Sequence, residues 1–93
     1  MVNRLSDEVA KLLQDLSLQY AKEFSIEQDV LQKRKDKGNL MELLELMNSR
    51  HRSALMPLVL PHNKSIAKHA YKVLSKELDI ADSIKSTITK ELE

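Results

Sequence analysis

The chain has 93 residues with one glycine, two prolines, two tyrosines, one phenylalanine and no cysteine; 42% are apolar and 31% are charged. This length favours one domain over residues 1–93, and the scarcity of glycine, proline and aromatic residues favours an all-α fold. Without cysteine there can be no disulfide, thiolate metal site or cysteine nucleophile, and nothing indicates an oxidising compartment.

Charge is unevenly distributed along the chain although the formal net charge is only +1. Residues 1–31 hold three basic and six acidic side chains, residues 32–76 hold ten and three, and residues 77–93 hold two and five. A basic middle suits an anionic lipid surface, nucleic acid or acidic protein, or the acidic ends pack against it. The charged N-terminal residues and the lack of a long apolar segment predict a cytoplasmic protein.

The first predicted helix carries an apolar stripe at steps of three and four residues, with Ser6 or Asp7 near its N-cap. The stripe consists of Leu5, Val9, Leu12, Leu13, Leu16 and Tyr20. Ser25 and Gln28 fit a capping box, which predicts a second helix over about residues 26–37. Gly38 follows a basic run and predicts its end, and Ile26, Val30 and Leu31 form its inward face.

A third helix is predicted from Asn39 as cap to the region of Pro57, where it should kink or end. Its apolar stripe consists of Leu40, Leu43, Leu44, Met47, His51, Ala54, Leu55 and Leu58. Leu46 falls off this stripe, which suggests that the helix contacts neighbours on two sides.

A fourth helix with Asn63 or Ser65 as cap is predicted to place Ile66, Ala67, Ala70, Tyr71, Leu74 and Leu78 on one face. Asp79 is a candidate cap for a last segment with Ile80, Ile84, Ile88 and Leu92 at four-residue steps. That segment either extends the fourth helix, packs as a short fifth helix, or frays. Four amphipathic helices with short loops predict an antiparallel up-and-down four-helix bundle.

No group of residues predicts catalysis, a cofactor or a metal. His51, His62 and His69 lack a partner at metal-ligand spacing, and the chain offers no phosphate-binding glycine loop or nucleophile motif. Glu42 and Glu45 lie one turn apart but fit a solvated helix face. We therefore expect a binding protein and not an enzyme.

Four lysines form the clearest predicted surface feature. Because Lys64, Lys68, Lys72 and Lys76 fall at four-residue intervals, they form a ridge about 18 Å long on the fourth helix. Either they serve solubility alone, or they contact an anionic partner such as a bilayer surface. Nucleic acid is not expected, since this helix lacks arginine and the chain shows no helix-turn-helix.

The run from Arg52 to Leu60, with Pro57 at its centre, is followed by His62-Asn63, Ile66 and Tyr71-Lys72-Val73-Leu74. This pattern resembles the small bacteriocin immunity proteins of the enterocin A and lactococcin A type. The resemblance covers about residues 5–78 and includes a short second helix after a serine, here Ser25.

The resemblance implies an antiparallel four-helix bundle in the cytoplasm of a Gram-positive bacterium, where it would provide antimicrobial peptide resistance. Such proteins associate with the bacteriocin-bound mannose phosphotransferase permease and block the pore. The resemblance also implies that the C-terminal half discriminates between bacteriocins, which here points to Lys64, Lys68, Lys72, Lys76, Ile84 and Ile88. The alternative is a helical adaptor or regulator in which exposed Leu18, Leu46 or Ile88 contacts a protein partner or a second copy of the chain.

Overall fold

The computed structural model describes residues 4–93, so the first three residues of the predicted domain lie outside the described part. Residues 4–93 fold into six α-helices and one short 3₁₀ turn, and the all-α prediction is confirmed. The helices are α1 (Asp7–Glu23), α2 (Gln28–Lys37), α3 (Leu40–Glu45), α4 (Ser49–Leu55), α5 (Lys64–Glu77) and α6 (Asp82–Leu92), with the 3₁₀ turn at Met56–Leu58.

Helix α1 is the centre of the core. Ser6 caps it, because its Oγ accepts a hydrogen bond from the Val9 amide at 3.2 Å, and the acidic residues of its first turn complement the helix dipole. Its buried face consists of Val9, Ala10, Leu13, Leu16, Ser17, Tyr20 and Ala21. This face contacts α4, the 3₁₀ turn, α5 and α6, while α2 packs along one edge.

Ser25 ends α1 and does not begin α2, so the predicted capping box is wrong. Its φ of 58° lies in the left-handed region. The Ile26 amide donates to the Ala21 carbonyl at 2.7 Å and the Ser25 amide donates to the Lys22 carbonyl at 3.3 Å. These two bonds form a Schellman motif. The motif holds the Ser25 backbone in the left-handed conformation, whereas the first residue of a capping box needs an extended backbone. Helix α2 begins two residues after Ile26.

Gly38 ends α2 as predicted, with a φ of 75°. The same pair of bonds recurs here, since the Asn39 and Gly38 amides donate to the carbonyls of Arg34 and Lys35. Asn39 does not cap α3 as predicted: its φ of −123° and ψ of 22° are not the extended geometry of a cap residue. Its Oδ1 is buried without a hydrogen-bond partner.

The predicted third helix is two helices, α3 and α4, separated at residues 46–48. The Asn48 side chain accepts from the His51 amide at 2.9 Å and starts α4. The prediction that this segment contacts more than one neighbour is confirmed, since α3 contacts α2 and α4 contacts α1 and α5. Leu46 does not contribute to these contacts, because its side chain is 83% exposed. Of the two outcomes predicted at Pro57, a kink or an end of the helix, the second is confirmed. Helix α4 ends at Leu55 and the proline lies in the 3₁₀ turn.

Residues 79–93 include a separate packed helix. Helix α6 contacts α1 and α5, and it buries Ile88 and Leu92 in the same core as Ile80. Asp79 is not its cap, because the residue before the helix is Ala81 and no side chain caps it. Instead, Asp82 in the first turn complements the dipole. No helix within residues 4–93 is both long enough and apolar enough to cross a membrane.

Candidate partner-binding surface

Helix α5 carries the lysine ridge on a rigid support. The Asn63 side chain caps the helix, with its Oδ1 accepting from the Ile66 amide at 3.0 Å, as one of the two predicted caps. Its buried face is made of Ala67, Ala70 and Leu74. Alanine side chains let α5 pack closely on α4 and α1, the helices it contacts most. The opposite face is therefore held in a fixed position.

The four ridge lysines do not have the same environment. Lys68, Lys72 and Lys76 are exposed, and within residues 4–93 their ammonium groups form no salt bridge. Lys64 is half-buried, and its Nζ donates to the backbone carbonyl of Glu93 at 2.9 Å. Three lysines are thus available to an anionic partner, while the fourth contributes to the attachment of the chain's C-terminal end.

The two isoleucines predicted as partner contacts do not join this ridge. Ile88 is 0% exposed in the core, so the prediction that it is an exposed contact residue is wrong. Ile84 is partly buried and packs against the same core. Both side chains lie inward because α6 folds back on α1 and α5. Their four-residue spacing with Ile80 and Leu92 corresponds to the side of α6 that packs on the core.

Helix α6 is held to the start of α1 by Glu91. Its carboxylate accepts from the Ser6 amide at 2.9 Å and from the Ser6 hydroxyl at 2.5 Å. These hydrogen bonds lower the pKa of Glu91 from its ordinary value, because they stabilise the carboxylate form. Nearby, His62 Nε2 lies 2.8 Å from the Asp7 carboxylate. The turn before α5 and the end of α6 are thus both tied to the first turn of α1.

An aromatic cluster joins α1, α4 and α5 at the other end of the ridge. The Tyr20 hydroxyl lies 2.7 Å from His51 Nδ1, and the Tyr20 and Phe24 rings are 4.4 Å apart between centroids. Arg50 lies over the Phe24 ring and forms a 3.3 Å salt bridge with Glu77 at the end of α5. Burial of the phenol raises the pKa of Tyr20, since the phenolate would lose its hydration.

The three histidines lie in different environments. His51 belongs to the aromatic cluster, His62 pairs with Asp7, and His69 is exposed on α5. In the part of the chain that the structure describes, no three His, Asp or Glu side chains are grouped so that they could hold a metal ion.

The helical patterns did not reveal a second surface. We call it the hairpin surface: the outer side of α2 and α3, formed by Val30, Lys33, Arg34, Lys37, Asn39 and Glu42, which line one groove, together with Leu46. Val30 was predicted to face inward, but it is 40% exposed and only Leu31 of α2 is buried. The available signal was the spacing of Val30, Lys33, Arg34 and Lys37, which places them on one helix face.

Comparison of the chain with protein-family models, with curated proteins and with solved structures gives no match. The geometry of the lysine ridge and of the hairpin surface is therefore the guide to function.

Proposed function

We propose that this protein is a bacteriocin immunity protein. It protects the producing cell by associating, on the cytoplasmic side, with the mannose phosphotransferase permease that has bound the bacteriocin, and it blocks the pore. In this proposal the chain acts as an antiparallel four-helix bundle extended by α6.

The observation that carries the proposal is the continuity of the segment that resembles the family. Residues 52–60 span the end of α4 and the 3₁₀ turn, where Pro57 and Leu58 are buried against α1. The Asn63 cap then starts α5, which exposes Lys68, Lys72 and Lys76. The residues of the resemblance therefore form one packed unit that fixes the ridge in space, as a protein-binding surface requires.

The ridge suits the intracellular face of a membrane protein complex. Three exposed ammonium groups on one helix side attract acidic loops of such a complex, and they are close enough together to act jointly. Exposed charge of this kind contributes mainly to the association rate and the orientation of the complex, while affinity requires further contacts. The complex formed by bacteriocin and permease would supply those contacts.

The test is protection against bacteriocins in growth-inhibition assays. A sensitive lactic acid bacterium expressing the chain is challenged with a panel of bacteriocins that target the mannose permease. We expect resistance to one of these peptides. A variant with Lys68, Lys72 and Lys76 all changed to Gln should lose most of it. The matched control changes three other exposed lysines, Lys11, Lys22 and Lys90, to Gln, which alters net charge equally.

Sensitivity to the whole panel, with soluble expression confirmed, would count against the proposal. Deletion of α6 is not a useful variant, because it removes Ile88 and Leu92 from the core and would destabilise the whole protein. Equal loss of protection in the ridge variant and its control would contradict the role of the ridge.

One observation favours a second candidate, a helical adaptor or regulator. Leu46 is 83% exposed, and an exposed large aliphatic side chain is typical of a contact site for a protein or a second copy. Sedimentation velocity tests self-association. A concentration-dependent dimer that Leu46→Ala abolishes, without any protection phenotype, would favour this function over immunity.

A further inference from the structure

The hairpin surface combines two features that the lysine ridge does not. Large hydrophobic side chains exposed within residues 4–93 are Val30, Leu46 and Leu60. Two of the three lie on the α2–α3 hairpin, and none lies on α5. The ridge thus offers charge alone, whereas the hairpin surface offers charge together with exposed apolar groups.

Cations surround the exposed Val30. Lys33, Arg34 and Lys37 follow it on the same face of α2 and line with it a groove of about 450 Å³. Lys33 and Lys37 are exposed and Arg34 is half-buried. Along Gln28–Lys37 the basic residues outnumber the acidic ones by four to two, and Glu42 of α3 is the carboxylate in the groove. The α2 side of the groove is therefore positive.

Leu46 continues this surface on the α3 side. It follows Glu42 by four residues, and its backbone keeps helical angles, with φ of −84° and ψ of −9°. It lies at the corner where the chain turns into α4, where its amide donates to the Leu43 carbonyl at 3.1 Å. This corner makes it the most exposed of the large hydrophobic side chains described.

We infer that the hairpin surface docks on an anionic lipid bilayer, with Val30 and Leu46 at the acyl boundary and Lys33, Arg34 and Lys37 among the headgroups. Interfacial helices bind in this way, because cations are attracted to anionic headgroups while apolar side chains enter a few ångströms further. This surface mixes cations, a carboxylate and exposed apolar side chains. A bilayer can contact such a mixture without a complementary pocket, which favours a bilayer over a folded partner. With only two apolar side chains, binding is weak, reversible and sensitive to salt.

The weak attachment of the hairpin fits this role. Helix α2 buries a single residue, Leu31, and it contacts only α1 and α3 among the better-packed pairs. Helix α3 has six residues and buries Leu40 and Leu44. A segment with so few buried contacts can adjust its tilt to a surface without unfolding the core.

The experiment uses the full chain and vesicles, with no bacteriocin or permease, so its outcome is independent of the proposed function. Co-sedimentation is measured at low salt with vesicles of equal parts phosphatidylcholine and phosphatidylglycerol, and with phosphatidylcholine alone. We expect binding to the anionic vesicles only, lost at high salt. Circular dichroism confirms that every variant is folded.

Two matched pairs of substitutions locate the contact. Changing Lys33 and Lys37 to Gln should lower the partition coefficient about 25-fold, at about fivefold per cation near an anionic surface. Changing Lys68 and Lys72 to Gln removes the same charge from the ridge and should lower it less than about fivefold, through net charge alone. Leu46→Gln should also weaken binding while keeping every charge.

Equal losses in the two lysine pairs would show that net charge drives binding, and would overturn the assignment to the hairpin surface. An unchanged partition coefficient for Leu46→Gln would contradict insertion of that side chain. Failure of the unmodified chain to bind anionic vesicles at low salt would exclude the bilayer and leave a protein as the partner of this surface.

Discussion

Helix α1 and the α2–α3 hairpin have comparable lengths of helical chain, yet they differ greatly in how they are held. Helix α1 buries seven residues against four other parts of the fold. The hairpin buries Leu31 from α2 and two leucines from α3. Each additional buried aliphatic side chain stabilises the folded state by about 1.5–3 kcal/mol. The rigid part of this protein and its adaptable part are therefore adjacent in sequence.

The largest effect is expected in the core. Leu13 is 0% exposed at the centre of α1, so Leu13→Ala should lower the free energy of unfolding by about 3 kcal/mol, from lost burial and the remaining cavity. Urea unfolding followed by circular dichroism measures this loss. Leu46→Ala is the control with the same chemistry, and it should change stability by less than about 0.5 kcal/mol. A similar loss in both variants would contradict the burial described.

The same substitution in α2 should act locally. Leu31 is 1% exposed, and Leu31→Ala should destabilise the docked hairpin by about 2 kcal/mol, which accelerates amide exchange in α2 about 30-fold. Amides of α1 should exchange at nearly their original rates. Hydrogen exchange read by NMR distinguishes the two regions. Equal acceleration in α1 and α2 would show that the hairpin unfolds only with the core.

The pH dependence of folding stability tests the burial of Tyr20 in the core. Tyr20→Phe removes the hydrogen bond to His51 and should cost about 1 kcal/mol at neutral pH. Because burial raises the pKa of Tyr20, the unfolded chain loses the phenolic proton first. Its contribution is complete below about pH 10, the ordinary tyrosine value, and falls as the pH rises through the higher folded value.

Alkaline unfolding measurements should therefore show a smaller loss of stability with pH in Tyr20→Phe than in the unmodified chain. Tyr71→Phe is the useful comparison, since burial also raises the pKa of Tyr71 but no bond to His51 is lost. Identical alkaline slopes in the unmodified chain and in Tyr20→Phe would contradict the burial of the Tyr20 phenol.

Substitutions at Gly38 test the turn between α2 and α3. An added Cβ would meet no atom within 4 Å, so Gly38→Ala introduces no clash. Its cost arises from the φ of 75°, and we expect about 1 kcal/mol. Asn tolerates this backbone better, so Gly38→Asn should cost less. Both values come from urea unfolding, and a larger cost for Asn than for Ala would refute this explanation.

The smallest effect is expected in the melting temperature of a Glu91 variant at acidic pH. Its lowered pKa means that the carboxylate stabilises the fold above the ordinary value of about 4.3, and that this contribution is lost as the pH falls through the folded value. Glu91→Gln should therefore flatten the decrease in melting temperature between neutral and acidic pH. Glu93→Gln, close by in the chain and exposed, is the control. A steeper acid profile in Glu91→Gln would have the wrong sign.

The sequence patterns predicted helix ends and buried faces correctly where the local cap residues and apolar spacing agree with the tertiary packing. Most of the α1 stripe and the glycine end of α2 were predicted correctly, and Asn63 is one of the two caps predicted for α5. Each of these depends on residues close together in the chain. The break between α3 and α4 was missed, although Asn48 is a good cap residue, because the apolar spacing continues across it. Ser25 was misassigned, since a serine can also occupy the left-handed end of a helix.

The candidate surfaces were predictable only in part. The spacing of the ridge lysines fixes their common helix face, but the pairing of Lys64 with the Glu93 carbonyl depends on where α6 docks. The burial of Ile88 has the same cause. Val30 and Leu31 are consecutive and both aliphatic, so only the tertiary position of α2 decides which one is buried. These outcomes depend on contacts between segments distant in sequence.

The contact between Ser6 and Glu91 joins residues separated by 85 positions. In polymer terms it closes a loop that includes nearly the whole described chain, and the entropy lost on closing a loop increases with its length. Contacts of α1 with α4 and α5 close shorter loops. Docking of α6 is therefore expected late in folding, after the central helices have assembled, and its release is an early step of unfolding.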